Sequence, residues 1–258
     1  MPNDLDAEKY EQASAHQKEW GAKLVSELCL RGSERVLDLG CGDGTIAAAV
    51  AESVPRGEVV GIDASQGMIE AAKAKEKANL HFVVMDMGEL DFEDEFDVVY
   101  SNAALHWVKN HERLLVDVAR ALRQGGRVRF NFAGAGDCSN FIRVIRAAIA
   151  REEFAPYFKG FAWPWYMPAA IEYRRLVQRI GLREIAVWGE NADRFFPEVE
   201  TLLRWVEQPS LVPFLACVAE GDKPAFREYV FEAMIKATRQ DDGRCFEAFR
   251  RVNLSARK

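Results

Sequence analysis

The stretch Asp38-Leu39-Gly40-Cys41-Gly42-Asp43-Gly44, directly after Arg35-Val36-Leu37, constrains this chain more than any other. An apolar run of β type carries an acid, then glycines at alternate positions, then Thr45-Ile46-Ala47-Ala48-Ala49-Val50, which reads as a helix. A strand, a glycine loop and a helix N-terminus together let a ligand touch backbone N–H groups directly. The spacing separates this loop from the dinucleotide fingerprint. G-x-G-x-x-G is tuned to seat a pyrophosphate, whereas here the order is G-x-G-x-G with an acid two residues before the first glycine. An acid buried there repels pyrophosphate and favours a ligand carrying an ammonium or sulfonium charge.

Composition narrows the partners. At 258 residues the chain suits one core fold with an elaboration. A net charge of -6 disfavours DNA or RNA as a partner. No apolar run approaches the roughly 18 residues of a membrane span, so no membrane partner is expected. Met1-Pro2-Asn3-Asp4-Leu5-Asp6 is acidic and polar, unlike a signal peptide. Cys29, Cys41, Cys138, Cys217 and Cys245 are scattered and odd in number, which fits reduced thiols and predicts neither a disulfide framework nor a metal site. The expectation is a cytoplasmic protein, a monomer or weak homodimer, acting on a small molecule.

Beyond the glycine loop, short apolar runs alternate with helical patterns, the mark of a parallel α/β sheet. Strands are predicted at 58–63, 80–85, 96–100 and 127–132, with helices over 66–77 and 111–123. The second helix is expected to stop at Gln124-Gly125-Gly126. After Gly134 the alternation ends. Helices are predicted at 139–151, 170–180, 198–207, 212–219 and 223–239, and a sixth strand at 184–188. A last strand is expected within 245–255. Phe161 to Pro168 is a proline-broken aromatic segment, read either as a hydrophobic lid core or as an aromatic wall of a ligand pocket.

Four elements recur at the carboxyl ends of successive strands, where ligands sit in open α/β folds: Asp38 with its glycines, Asp63, Asp86-Met87, and Ser101-Asn102-Ala103-Ala104-Leu105-His106-Trp107. With V-L-D-L-G-C-G-D-G-T at 36–45, G-I-D-A-S-Q-G-M at 61–68 and F-D-V-V-Y-S-N-A-A-L-H-W at 96–107, the chain resembles the class I (Rossmann-like) S-adenosylmethionine-dependent methyltransferases. At finer resolution it is similar to the trans-aconitate methyltransferase-like branch, through Leu203-Arg204-Trp205-Val206-Glu207, Leu211-Val212-Pro213-Phe214 and the segment 246–252. Gln208 departs from that pattern, which carries a glycine shortly after the tryptophan.

The resemblance implies an α/β fold, a doubly wound, mostly parallel seven-stranded sheet with a helical cap inserted late in the chain. Residues 1–33 would form an N-terminal helical segment over the cofactor and 34–134 the binding core. Residues 135–167 and 191–242 would form the cap, and 168–190 with 243–258 the remaining helix and strands of the sheet. S-adenosylmethionine would be held by Tyr10, Gln17, Asp38, Gly40, Cys41, Gly42, Asp63, Ala64, Met68, Asp86, Met87, Ser101 and Asn102. In that set Asp63 accepts from the ribose and Asp86 from the adenine amino group.

The expected reaction is O-methylation of an organic-acid carboxylate, trans-aconitate-like, by direct displacement. A carboxylate of pKa about 4 is already ionised at neutral pH and needs no base. His106, after the fourth strand, is the candidate base for a hydroxyl or carbon acceptor, since a histidine pKa can lie near operating pH. The same residue can instead merely pack beside Trp107. A cofactor-binding protein without turnover is the third possibility. Arg143, Arg146, Arg194, Arg250 and Arg251 are candidate clamps for a substrate carboxylate.

Overall fold

The computed structural model describes residues 15–258, the side chains of residues 15–19, 22 and 209 excepted. Strands β1 (Arg35–Leu39), β2 (Glu58–Asp63), β3 (Leu80–Val84), β4 (Phe96–Asn102), β5 (Leu122–Ala133), β6 (Arg183–Asn191) and β9 (Arg250–Arg257) form one sheet. Its order is β3-β2-β1-β4-β5-β9-β6, and only β9 runs antiparallel to its neighbours. The order reverses between β1 and β4, which places the ends of those strands at the crevice where open α/β sheets bind ligands.

Alternate residues of each strand feed opposite faces. Leu37, Leu39 and Val99 join Phe130 and Phe132 in one buried layer, under α4 (His111–Ala121) and α6 (Ala170–Val177). Val36, Val59 and Val98 face the other layer, under α1 (Ala15–Glu27), α2 (Thr45–Ser53) and α3 (Gln66–Lys73). Helix α4 shows how sequence sets this. Asn110 caps it by accepting from the Arg113 N–H. Leu114, Leu115 and Val118 are wholly buried on one face, each contributing about 1.5–3 kcal/mol of hydrophobic stabilisation.

Residues from α5 (Ser139–Ile149), α7 (Val199–Trp205), α8 (Val212–Leu215) and α9 (Lys223–Thr238) build a third apolar cluster, which includes Phe141, Trp205, Phe214, Phe226 and Met234. Its buried members include none from the seven-stranded sheet. A two-stranded ribbon, β7 (Arg194–Phe196) with β8 (Cys245–Glu247), belongs to it through Phe196 and Cys245.

Three expectations are corrected. Helix α4 ends at Ala121, and Gln124-Gly125-Gly126 lies inside β5 as an irregularity where the register with β4 shifts, Gly125 taking a φ of 80°. The stretch expected as one last strand is two: β8 pairs with β7, and only β9 enters the main sheet. The cause is Glu247, wholly buried, whose carboxylate accepts the backbone N–H groups of Asn140 and Phe141 and so caps α5. Finally, α3 stops at Lys73 instead of running to Lys77.

Candidate functional site

The cavity lies across the ends of β1, β2 and β4 and encloses about 870 Å³, its open mouth included. Gly40, Gly42, Asp63 and Met68 line one part of it; Asn102, Ala103, Ala104, His106 and Trp107 follow from β4. Asp137, Phe141, Trp165, Trp205, Phe249 and Arg251 close the far side, with Trp20 from α1.

The first two glycines of the loop play different roles. Gly40 has a φ of 75°, and a Cβ there would stand 2.3 Å from the Ala104 Cβ, so close packing of the β4 loop requires it. Gly42 also has a positive φ, of 55°, yet a Cβ would meet nothing within 4 Å. Space in front of bare backbone at a cavity wall is a cradle for a ligand. The Gly42 N–H donates to Asp63 Oδ2 at 3.1 Å and the Ser65 N–H to Oδ1 at 2.9 Å. These bonds fix the Asp63 carboxylate in the cavity wall and leave each oxygen a further lone pair for a hydroxyl donor. Burial raises its pKa, opposed by those two N–H groups.

Asp38 stands outside the cavity lining, 3% exposed. Among the described residues only the Tyr100 hydroxyl donates to it, at 2.7 Å. Burial, with the Asp63 charge adding to it, pushes its pKa up to about 7 against the Tyr100 bond. A carboxylate so poorly compensated beside the glycine loop is a site that a cationic ligand relieves.

The remaining expected residues divide. Met68 and Asn102 line the cavity. Met87 is buried and would lie 3.0 Å from a Cβ on Gly40. Ser101 is buried with its hydroxyl donating to the Leu39 carbonyl at 2.7 Å, so it ties β4 to β1 and is absent from the lining. Cys41 is buried, Ala64 half-buried and Asp86 exposed, and none of the three lines the cavity. The Asp86 carboxylate accepts the Gly88 N–H at 2.8 Å. Tyr10 lies outside the described residues. Gln17 falls in α1, with its side chain outside them.

His106 does line the cavity, but the expectation of a pKa near operating pH is corrected. Burial pushes it down to about 3, helped by the charges of Arg251 and His111. The imidazole is therefore neutral across the physiological range, and its buried Nδ1 has no hydrogen-bond partner among the described residues.

Among the five candidate arginines, only Arg251 lines the cavity. It is 4% exposed, its Nε and Nη2 both donate to Asn131 Oδ1 at 3.0 and 2.8 Å, and its guanidinium sits 4.3 Å from the Trp20 ring. Asn131 is held in turn by donating to Asn253 Oδ1 at 2.9 Å. Sequence reasoning missed Asp137 and Trp205 as parts of this wall, and Asn131 and Asn253 as the pair that holds Arg251 from behind. The two asparagines lie on strands that meet only in the folded sheet, and Asp137 and Trp205 reach the cavity from a loop and a helix, so none of the four carried a local signal. Gln208, the departure from the branch pattern, has extended backbone (φ -136°, ψ 120°) that any residue adopts, so the fold does not demand glycine there.

Comparison with known proteins completes the site's setting. Residues 36–126 match a methyltransferase domain family. Trans-aconitate 2-methyltransferase of Deinococcus radiodurans is 32% identical over 226 residues, covering 84% of each chain. The chain belongs to the class I S-adenosylmethionine-dependent methyltransferases. Its place there is in the trans-aconitate methyltransferase-like branch, and it is an enzyme of that cofactor. The trans-aconitate 2-methyltransferase of Azoarcus is 26% identical over 97% of this chain and 98% of its own. In fold, the chain is similar to the YcgJ protein of Bacillus subtilis, with a TM-score of 0.63 at 18% identity, covering 93% of this chain and 98% of that one. It is also similar to a Haemonchus contortus phosphoethanolamine N-methyltransferase solved with S-adenosylmethionine, with a TM-score of 0.61 at 21% identity. That match covers 98% of this chain and 56% of the other. The Gly42 cradle and the Asp63 carboxylate fit this cofactor's backbone-facing and hydroxyl-bearing parts, and Asp38, buried behind the loop with a hydrogen bond from Tyr100, suits its cationic part.

Proposed function

We propose that this enzyme O-methylates a carboxylate of a small organic acid. The observation that carries the reading is Arg251, buried in the cavity wall and oriented through two hydrogen bonds to Asn131. A guanidinium whose plane is fixed this way suits a carboxylate, whose two oxygens match its fork. The trans-aconitate 2-methyltransferases among its relatives support the same class of acceptor.

When bound, S-adenosylmethionine supplies an electrophilic methyl group already activated by its sulfonium charge. Gly42 and Asp63 hold the cofactor, as we read the site, and Asp38 offsets its positive charge from behind the loop. Arg251 orients the acceptor carboxylate, and Trp107, Trp165 and Trp205 exclude water around it. Orientation and desolvation then do most of what catalysis needs, because the nucleophile is ionised beforehand. A hydroxyl or carbon acceptor would need a base, and an imidazole held near pKa 3 is a weak one at neutral pH. The helices around Phe141 and Trp205 act in this reading as a cap over the acceptor, with Phe161 to Pro168 at its edge. Among the described residues no helix is long and apolar enough to cross a membrane, and we place the reaction in the cytoplasm.

The test is Arg251→Gln, which keeps a hydrogen-bonding side chain and removes the charge. KM for an acid acceptor should rise about tenfold or more, from the loss of a charged hydrogen bond. Affinity for S-adenosylhomocysteine should change far less. Unchanged acceptor KM would refute the assignment.

A further inference from the structure

The charges and surfaces around the acceptor end of the cavity narrow the acid. Resting on the carboxylate reading above, we infer that the acceptor is a monocarboxylic acid with an apolar body, and that the site selects against di- and tricarboxylates.

A cavity binding several carboxylates needs several cations, since each carboxylate taken out of water needs its own partner. Among the described residues lining this cavity, Arg251 is the one arginine, and no lysine is present. The other candidate arginines are committed elsewhere. Arg250 pairs with Asp193. Arg146 lies 4.5 Å from the Trp163 ring, and Arg143 donates to Asn140 Oδ1 at 2.9 Å. Arg194 lies against the Trp20 ring and does not line the cavity.

The acceptor end also holds a carboxylate of its own. Asp137 is 3% exposed and lines the cavity, accepting the Arg250 N–H at 2.6 Å and the Cys138 thiol at 3.2 Å. Burial raises its pKa, and the Arg251 charge pulls against that rise. Part of the single guanidinium's charge is therefore already balanced, and a second substrate carboxylate would meet Asp137 as a like charge. His106 adds no cation, because burial keeps it neutral.

Most of the remaining wall at that end is apolar, formed by Trp20, Trp107, Phe141, Trp165, Trp205 and Phe249, with Ser210 a polar member. Trp165 stands 5.7 Å from Trp107 and 6.2 Å from Phe141, edge to face in both pairs. Such walls reward an aromatic or aliphatic body by burying it and offer few partners to extra carboxylates. One charged anchor, one opposing acid and an aromatic sleeve together describe a receptor for a single carboxylate on an apolar body.

The experiment compares trans-aconitate with the monoacids cinnamate, indole-3-acetate and decanoate on the full-length enzyme. Binding to the S-adenosylhomocysteine complex is measured by calorimetry, and methyl transfer from S-adenosylmethionine by mass spectrometry. At least one monoacid should bind about tenfold or more tighter than trans-aconitate and show the higher kcat/KM. Asp137→Asn, which keeps an oxygen for the Arg250 N–H, should shrink that preference by strengthening trans-aconitate binding. Tighter binding and faster methylation of trans-aconitate than of every monoacid would overturn the inference while leaving the carboxylate reading intact. No binding or methylation of any acid would overturn both.

Discussion

Asp38→Asn isolates the buried charge that the proposed cofactor site uses. Folding raises the Asp38 pKa from 3.8 to about 7, chiefly through burial. At ~1.4 kcal/mol per tenfold change in proton affinity, this amounts to about 4 kcal/mol as an upper bound. The folded state holds the Asp38 proton up to about pH 7, whereas the unfolded chain loses it near pH 4. Stability from this group therefore falls as pH rises from about 4 to 7 and is constant above that. About 3 kcal/mol of the total falls between pH 5 and pH 8. Asparagine keeps an acceptor for the Tyr100 hydroxyl and never ionises. Urea unfolding of both proteins without ligand at the two pH values provides the assay. The variant's advantage over wild type should be about 1–3 kcal/mol larger at pH 8 than at pH 5. Asp63, Asp137 and Glu247 also have pKa values raised by burial, but they are present in both proteins. Ligand binding should run the opposite way: wild type should bind S-adenosylmethionine more tightly at pH 8 than at pH 5, with the variant weaker at pH 8. A stability difference that stays flat with pH would show that burial does not raise the Asp38 pKa.

Two further outcomes follow from the same geometry. Gly42→Val should fold, since a Cβ there meets nothing within 4 Å, at a backbone cost of about 1–2 kcal/mol for a side chain at positive φ. It should abolish S-adenosylhomocysteine binding in calorimetry, and retained affinity would remove Gly42 from the site. With an acid acceptor, kcat should stay flat from about pH 5.5 to 8, since His106 does not titrate there and the carboxylate is ionised. His106→Ala should change it only modestly, and a rise near pH 6–7 that vanishes in this variant would restore His106 as base.

How much of this was legible in the sequence depended on how local the cause was. The glycine loop, Asp63 and the strands of the parallel half are written in contiguous residues, because strand period, glycine spacing and the acid's offset are short-range signals. The break between β8 and β9 was not, because Glu247 turns inward to cap a helix that begins more than a hundred residues earlier. Nor was the His106 pKa, which burial sets from surrounding residues distant in sequence. Five late arginines looked equivalent in the sequence. Only the pairing of β5 with β9, which sets Arg251 beside Asn131, singles one out. Ser101 shows the converse: its place after the fourth strand suggested a ligand contact, but its hydroxyl bonds the neighbouring strand.

In the proposed reaction the methyl group ends on a carboxylate oxygen. Incubating the enzyme with methyl-labelled S-adenosylmethionine and a mixed panel of organic acids, phenols and amines, then treating the products with mild base, tests it directly. A methyl ester releases its label as methanol under these conditions, whereas an ether, an N-methyl or a C-methyl product keeps it. Label transferred to an acid and released by base is the predicted result. Label transferred but retained through base treatment would contradict it.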